Sequence, residues 1–287
     1  MEQFSLLSDN SQFSSASAVY NVGSQCRTIQ PVLGELEKHQ FLVGTRSIRK
    51  SNEVHIIEYS DVDNSISCPT IIDFPDGEIN GLFPCPGCKN LFFVVFTNKE
   101  FQRNCVLLST KSCVPAEGER HFSCPAAFSL PDLEGFGPVL FVVWKPIVDT
   151  DDAYGLEDGE EASSPDPDGE HTFVAVHANG FQVWDIMVDE DETHLQPREQ
   201  GRGVVWGTDG ESGMGKITAA AWDPHHKNLL LLAVDGDLVT FDIETLVEVS
   251  CVCVSGCTSR LCAHPLRVLC PAGPALSPCS RCSNNCN

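Results

Sequence analysis

A repeated unit of three short apolar segments constrains the fold of this chain more than any other feature. Residues 215–243 have the pattern of strand, turn, strand, tight turn, strand. Residues 137–186 repeat this order around an acidic insertion, and both units end in an aromatic residue followed by Asp and Ile. Short apolar segments bounded by Gly, Asn and Asp are typical of strands, and a repeated unit indicates a repeat architecture.

The rest of the region between residues 20 and 249 has the same character. A weaker copy of the unit begins at Gly77, a partial copy begins at Phe41, and no helical periodicity extends beyond two turns. The sequence therefore predicts an all-β fold. The predicted strands are residues 41–44, 53–59, 91–97, 106–109, 139–144, 172–177, 180–186, 217–222, 229–233 and 238–243.

The middle segment of each unit is apolar at nearly every position, as expected for a strand that is sandwiched between neighbouring sheets. This pattern predicts a WD40-type β-propeller over residues 19–249, with about four visible blades. The residues expected to form its repeat signature are Trp144, Pro146, Trp184, Asp185, Trp222, Pro224, Phe241 and Asp242.

Two segments carry a more specific resemblance. Residues 41–48 and 52–59 resemble the first blade of the EARP-interacting (TSSC-type) WD-repeat proteins. Shorter matches to that family are residues 19–20, 25–27, 77–79, 142–146 and 222–226. The resemblance implies a seven-bladed propeller that binds the EARP and GARP tethering complexes. These complexes act in endosomal recycling and in retrograde transport to the trans-Golgi network, and the family also acts in dense-core vesicle cargo sorting.

The resemblance further implies a cytoplasmic protein, peripheral to the trans-Golgi network and endosomes, without catalytic residues. The matched region is shorter than the seven-bladed propeller that the family implies. Seven WD blades need roughly 280–315 residues, whereas residues 19–249 span about 230. An open stack of four blades leaves its first and last apolar faces uncovered, which favours aggregation unless another chain covers them.

The composition changes abruptly near the end of the chain. Eight of the 15 cysteines lie in the last 37 residues, which contain no Asp or Glu. We therefore expect residues 250–287 to be an unstructured Cys-rich tail that is not native coding sequence, arising from an intron, a frameshift or a truncated gene. We also expect disorder in the Ser-rich residues 1–18. Residues 149–170, with ten acidic residues and no Lys or Arg, are predicted to form a disordered acidic loop or a docking tract for a basic partner.

The formal net charge of −22 excludes nucleic acid and bare anionic membrane as favoured partners. The chain also has no secretory signal pattern and no run of about 18 apolar residues that could cross a bilayer. These features indicate an intracellular protein that does not insert into membranes.

The sequence offers few residues for chemistry. The pairs Cys85/Cys88 and Cys279/Cys282 have zinc-ligand spacing, but most of the chain separates them, so we interpret them as accidental. His225 is followed by a second histidine in a predicted turn. Because no hydrolase or phosphate-loop motif is present, we predict a non-catalytic scaffold without cofactor or metal. The alternatives are a WD-repeat histone or chromatin adaptor and a thiol or zinc protein organised by the tail.

Overall fold

Four β-sheets follow one another along the chain. The structure is a computed structural model that describes residues 18–47, 50–116, 120–147, 170–189, 194–205, 215–223, 226 and 228–252. The strands in these ranges are β1 Cys26–Pro31, β2 His39–Thr45, β3 Asn52–Ser60, β4 Ser65–Phe74, β5 Glu78–Pro84, β6 Leu91–Thr97, β7 Arg103–Ser109, β8 Val114–Pro115, β9 His121–Ser123, β10 Ala126–Ser129, β11 Val139–Trp144, β12 Glu170–His177, β13 Gly180–Val188, β14 Leu195–Val204, β15 Ile217–Trp222, β16 Leu229–Val234, β17 Asp237–Asp242 and β18 Val247–Val252.

Each sheet contains one antiparallel set of four strands. In spatial order, the first sheet is β1-β2-β3-β4-β9-β8, the second is β5-β6-β7-β10, the third is β11 to β14 and the fourth is β15 to β18. The four units found in the sequence therefore correspond to four separate sheets, and the all-β prediction is confirmed. Each of the ten predicted strands overlaps an observed strand.

The four sheets share the same irregularities in strand pairing. In each sheet the pairing of the first two strands shifts once, and the extra residue lies four positions before the last residue of the first strand. The shifts lie between Cys26 and Thr28, Ile79 and Gly81, Val139 and Phe141, and Ile217 and Ala219. The third and fourth strands of each set also show one shift. Bulges at matching positions show that the four sheets are copies of one structural unit.

The second strand of an inner sheet packs on both neighbours. In β6, Phe92 and Val94 belong to the apolar cluster shared with the first sheet, whereas Phe93 and Val95 belong to the cluster shared with the third. Because successive side chains of a strand point to opposite faces, a strand buried on both sides must be apolar throughout. This confirms the interpretation of the uniformly apolar middle segments.

A short hairpin passes from the second sheet to the first. It lies between β7 and β10 and consists of β8 and β9, and β9 pairs in parallel with β4 through Ile71 and His121. This excursion explains why the second unit is hard to recognise in the sequence. The third strand and the fourth strand of that sheet are separated by residues that belong to a different sheet.

Several predictions fall outside the described residues. They concern residues 1–17, the acidic run up to residue 169 and the tail from residue 253. β18 extends to Val252, so this strand crosses the change of composition at Cys251. Within the described ranges, the helical structure is the 3-10 turn Thr110–Ser112, and no helix there has the length and apolar character needed to cross a membrane.

Candidate functional site

Two predicted signature residues, Trp144 and Trp222, occupy the same place in the third and fourth sheets. Each is the last residue of the first strand in its sheet, and they pair with Phe173 and Leu230 in the second strands. The Trp144 indole nitrogen donates a hydrogen bond to the carbonyl oxygen of Phe83 at 2.9 Å. The Trp222 indole nitrogen donates to the carbonyl oxygen of Val143 at 3.2 Å.

The two acceptors are also equivalent to each other. Phe83 and Val143 each lie one residue before the end of the first strand in the preceding sheet. The bond therefore joins the first strands of consecutive sheets and recurs from one junction to the next. In the first two sheets Pro31 and Pro84 take the tryptophan position, and proline has no side-chain donor.

Trp184 and Phe241 occupy equivalent positions in the third strands β13 and β17. Both are buried. The Trp184 ring lies 5.2 Å from the ring of Phe128 in the second sheet and 6.4 Å from that of Phe173. The Trp184 indole nitrogen is buried and has no hydrogen-bond acceptor among the described residues. Trp184 therefore acts through the packing of its ring against neighbouring aromatic side chains.

The two signature aspartates bond close to their own strands. The Asp185 carboxylate accepts hydrogen bonds from the Thr172 hydroxyl at 2.8 Å and from the Gln200 amide. Asp242 accepts the backbone N–H groups of Glu244 and Thr245, both at 3.0 Å. The first aspartate therefore links strands of its sheet, and the second stabilises the turn into β18.

The signature prolines give less information. Pro146 lines an open cavity of about 360 Å³ at the junction of the second and third sheets, together with Pro84, Trp144 and Ile147. Pro224 and His225 lie outside the described residues. His226 bonds through Nδ1 to Asp223 at 3.0 Å, and its carbonyl accepts the N–H of Leu229. This geometry agrees with the predicted turn.

The sequence analysis did not single out the buried pair His177 and Gln182. The His177 Nε2 lies 3.1 Å from Gln182 Oε1, and its Nδ1 lies 3.2 Å from the carbonyl oxygen of Gly137. Burial lowers the pKa of His177 below its usual 6.5. A neutral imidazole donates from one ring nitrogen only, so His177 donates to one of these two oxygens, in β13 or in the segment before β11, which is a structural role.

The Cys85/Cys88 pair lies in an apolar environment. Both side chains are buried in the cluster between the second and third sheets, and the turn that contains them joins β5 to β6. Cys279 and Cys282 lie outside the described residues. The described members of the zinc-spaced set therefore lie in the apolar cluster between the second and third sheets. In the same way, the signature residues that the structure describes act through packing and hydrogen bonds within and between sheets.

Comparison with known proteins gives several related sequences, although no family model matches the chain. The EARP-interacting protein homolog of Danio rerio is 22% identical over 251 residues, covering 83% of this chain and 57% of the relative. The EARP and GARP complex-interacting protein 1 of Rattus norvegicus is 23% identical over 251 residues with the same coverage. The EARP-interacting protein homolog of Dictyostelium discoideum is 31% identical over 78 residues, 27% of this chain and 19% of the relative. The chain spans little more than half the length of the first two relatives.

Proposed function

The chain is a homologue of the EARP-interacting proteins, and from this relationship we propose that it binds the EARP and GARP tethering complexes as a non-catalytic scaffold. The observation that carries the proposal is the match over 83% of the chain to proteins named for this interaction. The aligned part is 57% of those relatives. We therefore propose that the part of the relatives that aligns with this chain is the part that binds the complexes.

The proposed architecture is a WD40-type β-propeller of which four blades are present. Four sheets with matching bulges and shared apolar clusters support it. In this architecture Trp184 with Asp185, and Phe241 with Asp242, are the equivalent repeat signature of two blades. Trp144 and Trp222 hold consecutive blades together, with Pro146 and Pro224 beginning the turns that follow. Rigid sheets of this kind present loops to partners.

The proposed cellular role follows from the proposed partners. A protein that binds EARP and GARP acts in endosomal recycling and in endosome-to-Golgi retrograde transport, from the cytoplasmic side of endosomes and the trans-Golgi network. The formal net charge of −22 supports protein partners over nucleic acid, because phosphates repel an acidic surface. Membrane association would then be peripheral, through the tethering complexes.

The proposal is tested by affinity purification of the tagged full chain from cells, with identification of the co-purified proteins by mass spectrometry. We expect subunits of EARP and GARP. Histones in place of those subunits would overturn the proposal and favour the chromatin-adaptor alternative. Phe173→Ala removes a fully buried ring and should abolish specific capture if the folded sheets carry the binding surface, and Phe101→Ala, at an exposed ring, is its matched control.

A further inference from the structure

A polar cluster lies on the first sheet, on the face that is directed away from the second sheet. Glu53 in β3 is directly opposite Asp73 in β4, and His121 in β9 is adjacent in the next strand. The neighbouring residues Val54 and Ile72 point the other way, into the cluster shared with the second sheet. The polar side chains therefore share one face of three adjacent strands.

The three side chains converge on a small volume. One potential ligand atom from each of Glu53, Asp73 and His121 lies within 4.8 Å of the other two. Their side chains are about one-third exposed, at 31%, 36% and 32% respectively. Such a group is open enough for an ion to enter and close enough for one ion to contact all three.

A buried hydrogen-bond chain orients Glu53. The His55 side chain is 4% exposed, and its Nε2 lies 2.9 Å from Glu53 Oε2. A carboxylate only accepts hydrogen bonds, so Nε2 carries the hydrogen, and in the neutral ring Nδ1 accepts from the Tyr20 hydroxyl at 2.8 Å. Burial raises the pKa of Tyr20, which keeps this hydroxyl protonated. A carboxylate held by a fixed donor is the arrangement that supports metal ligands in proteins.

The two negative charges of Glu53 and Asp73 favour the binding of a cation between them. Like charges directly opposite each other in an antiparallel sheet are destabilising. Among the described residues, no Lys or Arg lies within ion-pair distance of Glu53 or Asp73, and each carboxylate is paired with a histidine. The nearby Arg120 guanidinium bonds instead to the carbonyl oxygen of Cys68.

We propose that Glu53, Asp73 and His121 form a binding site for a divalent transition-metal ion, with His55 as the positioning residue for Glu53. Two carboxylates and one imidazole suit ions such as Mn²⁺, and water would complete the coordination. The His121 Nδ1 now shares a hydrogen with Asp73 at 2.8 Å. If that nitrogen is the ligand, the hydrogen must leave Nδ1, and in the neutral ring it is then carried by Nε2, so that the metal ion takes its place beside Asp73.

The ion would have a structural effect on the hairpin. Glu53 and Asp73 belong to the first sheet's own strands, whereas His121 belongs to the hairpin that arrives from the second sheet. A metal ion shared by the three residues would fasten this hairpin to the first sheet. This inference is independent of the proposed binding to EARP and GARP.

The test is an electron paramagnetic resonance titration of the full chain with Mn²⁺. This ion binds thiolates poorly, so the many cysteines should not compete with the proposed site. We expect about one bound Mn²⁺ per chain. Asp73→Asn and His121→Gln should each weaken binding about 10-fold or more. The matched controls are Asp63→Asn and His39→Gln, which alter exposed residues of the same sheet region and should bind as the wild type does.

Two results would overturn the site. One is the absence of stoichiometric Mn²⁺ binding to a wild-type chain whose β-sheet circular dichroism is intact. The other is Mn²⁺ binding that Asp73→Asn and His121→Gln leave unchanged, because the ion would then lie elsewhere. Circular dichroism of each variant separates loss of the site from loss of the fold.

Discussion

The indole nitrogen of Trp144 donates a hydrogen bond to the carbonyl oxygen of Phe83, 2.9 Å away in the neighbouring sheet. Trp222 makes the same bond to Val143, one sheet further along. Because donors and acceptors occupy equivalent register positions, the bond is a feature of the repeated unit rather than of one local packing arrangement. It gives the junctions of the second with the third sheet and of the third with the fourth sheet a directional contact in addition to apolar burial.

Removing this bond should weaken the junction by a moderate amount. Trp144→Phe keeps an aromatic ring but deletes the donor, so the free energy of unfolding should fall by about 1–3 kcal/mol. Trp222→Phe should have a similar effect, because its bond is equivalent. Urea denaturation followed by circular dichroism measures both, with Leu36→Ala, at a side chain that is 92% exposed, as the control. Unchanged stability in both tryptophan variants would contradict a structural role for the bond.

The aromatic contact between the second and third sheets should contribute more. Phe173 is fully buried, and its ring centroid lies 4.6 Å from that of Phe93 and 5.3 Å from that of Trp144. Phe173→Ala should lower the free energy of unfolding by about 3–5 kcal/mol, whereas Phe173→Leu should cost less. Phe101 is 89% exposed, so Phe101→Ala is the matched control and should change stability little. Equal effects of the two alanine substitutions would mean that the ring of Phe173 is not in the core.

The lowered pKa of His177 predicts a dependence of stability on pH. Burial disfavours the imidazolium in the folded state, so the unfolded chain binds more protons at any pH between the lowered value and about 6.5. Stability should therefore fall as the pH decreases through this window. The comparison is the pH dependence of urea unfolding in the wild type and in His177→Gln, which should show a smaller decrease. The exposed His39→Gln controls for loss of an imidazole, and a wild-type slope in His177→Gln would contradict the prediction.

Two thiols beside the β8–β9 hairpin should differ in reactivity. The Cys124 thiol donates a hydrogen bond to the carbonyl oxygen of Ser109 at 3.1 Å, and the interaction between the two thiols lowers the pKa of Cys113 and raises that of Cys124. Cys113 should therefore be alkylated by iodoacetamide faster at neutral pH than Cys124 or the buried Cys105, whose pKa is raised by burial. Timed alkylation followed by peptide mass spectrometry measures the rates. Cys124→Ala should slow the reaction of Cys113, and an unchanged rate would show that the thiol pair does not form in solution.

The strands that the sequence predicted with the right bounds are apolar at most positions, and β6 among them is buried along nearly its whole length. The segments Leu91–Thr97, Val139–Trp144 and Ile217–Trp222 were predicted with their observed bounds. A strand that is buried on both faces needs apolar residues at nearly every position, and such a continuous apolar segment can be recognised in the sequence. The outer strands were missed. β14 contains Pro, Arg, Glu, Gln and Gly, a composition that a solvent-facing edge strand tolerates but that is typical of a loop.

The polar cluster could not be predicted for a different reason. Asp73 and His121 are separated by 48 residues, and they meet only because the β8–β9 hairpin, which lies between two strands of the second sheet in sequence, pairs with β4 of the first. Neither residue has a neighbour in sequence that forms a recognisable ligand motif. The pairing of this hairpin with the first sheet depends on tertiary packing, so the local sequence does not predict it.

The central claim is that this chain itself contains a surface for EARP and GARP. The most direct measurement is biolayer interferometry of the purified full chain, immobilised on the sensor, with each purified complex in solution. We expect saturable binding of the wild-type chain to both complexes. Phe173→Ala should abolish this binding, and Phe101→Ala should retain it. Absence of binding to either complex by the folded wild-type chain, under conditions where the Rattus norvegicus relative binds both, would contradict it.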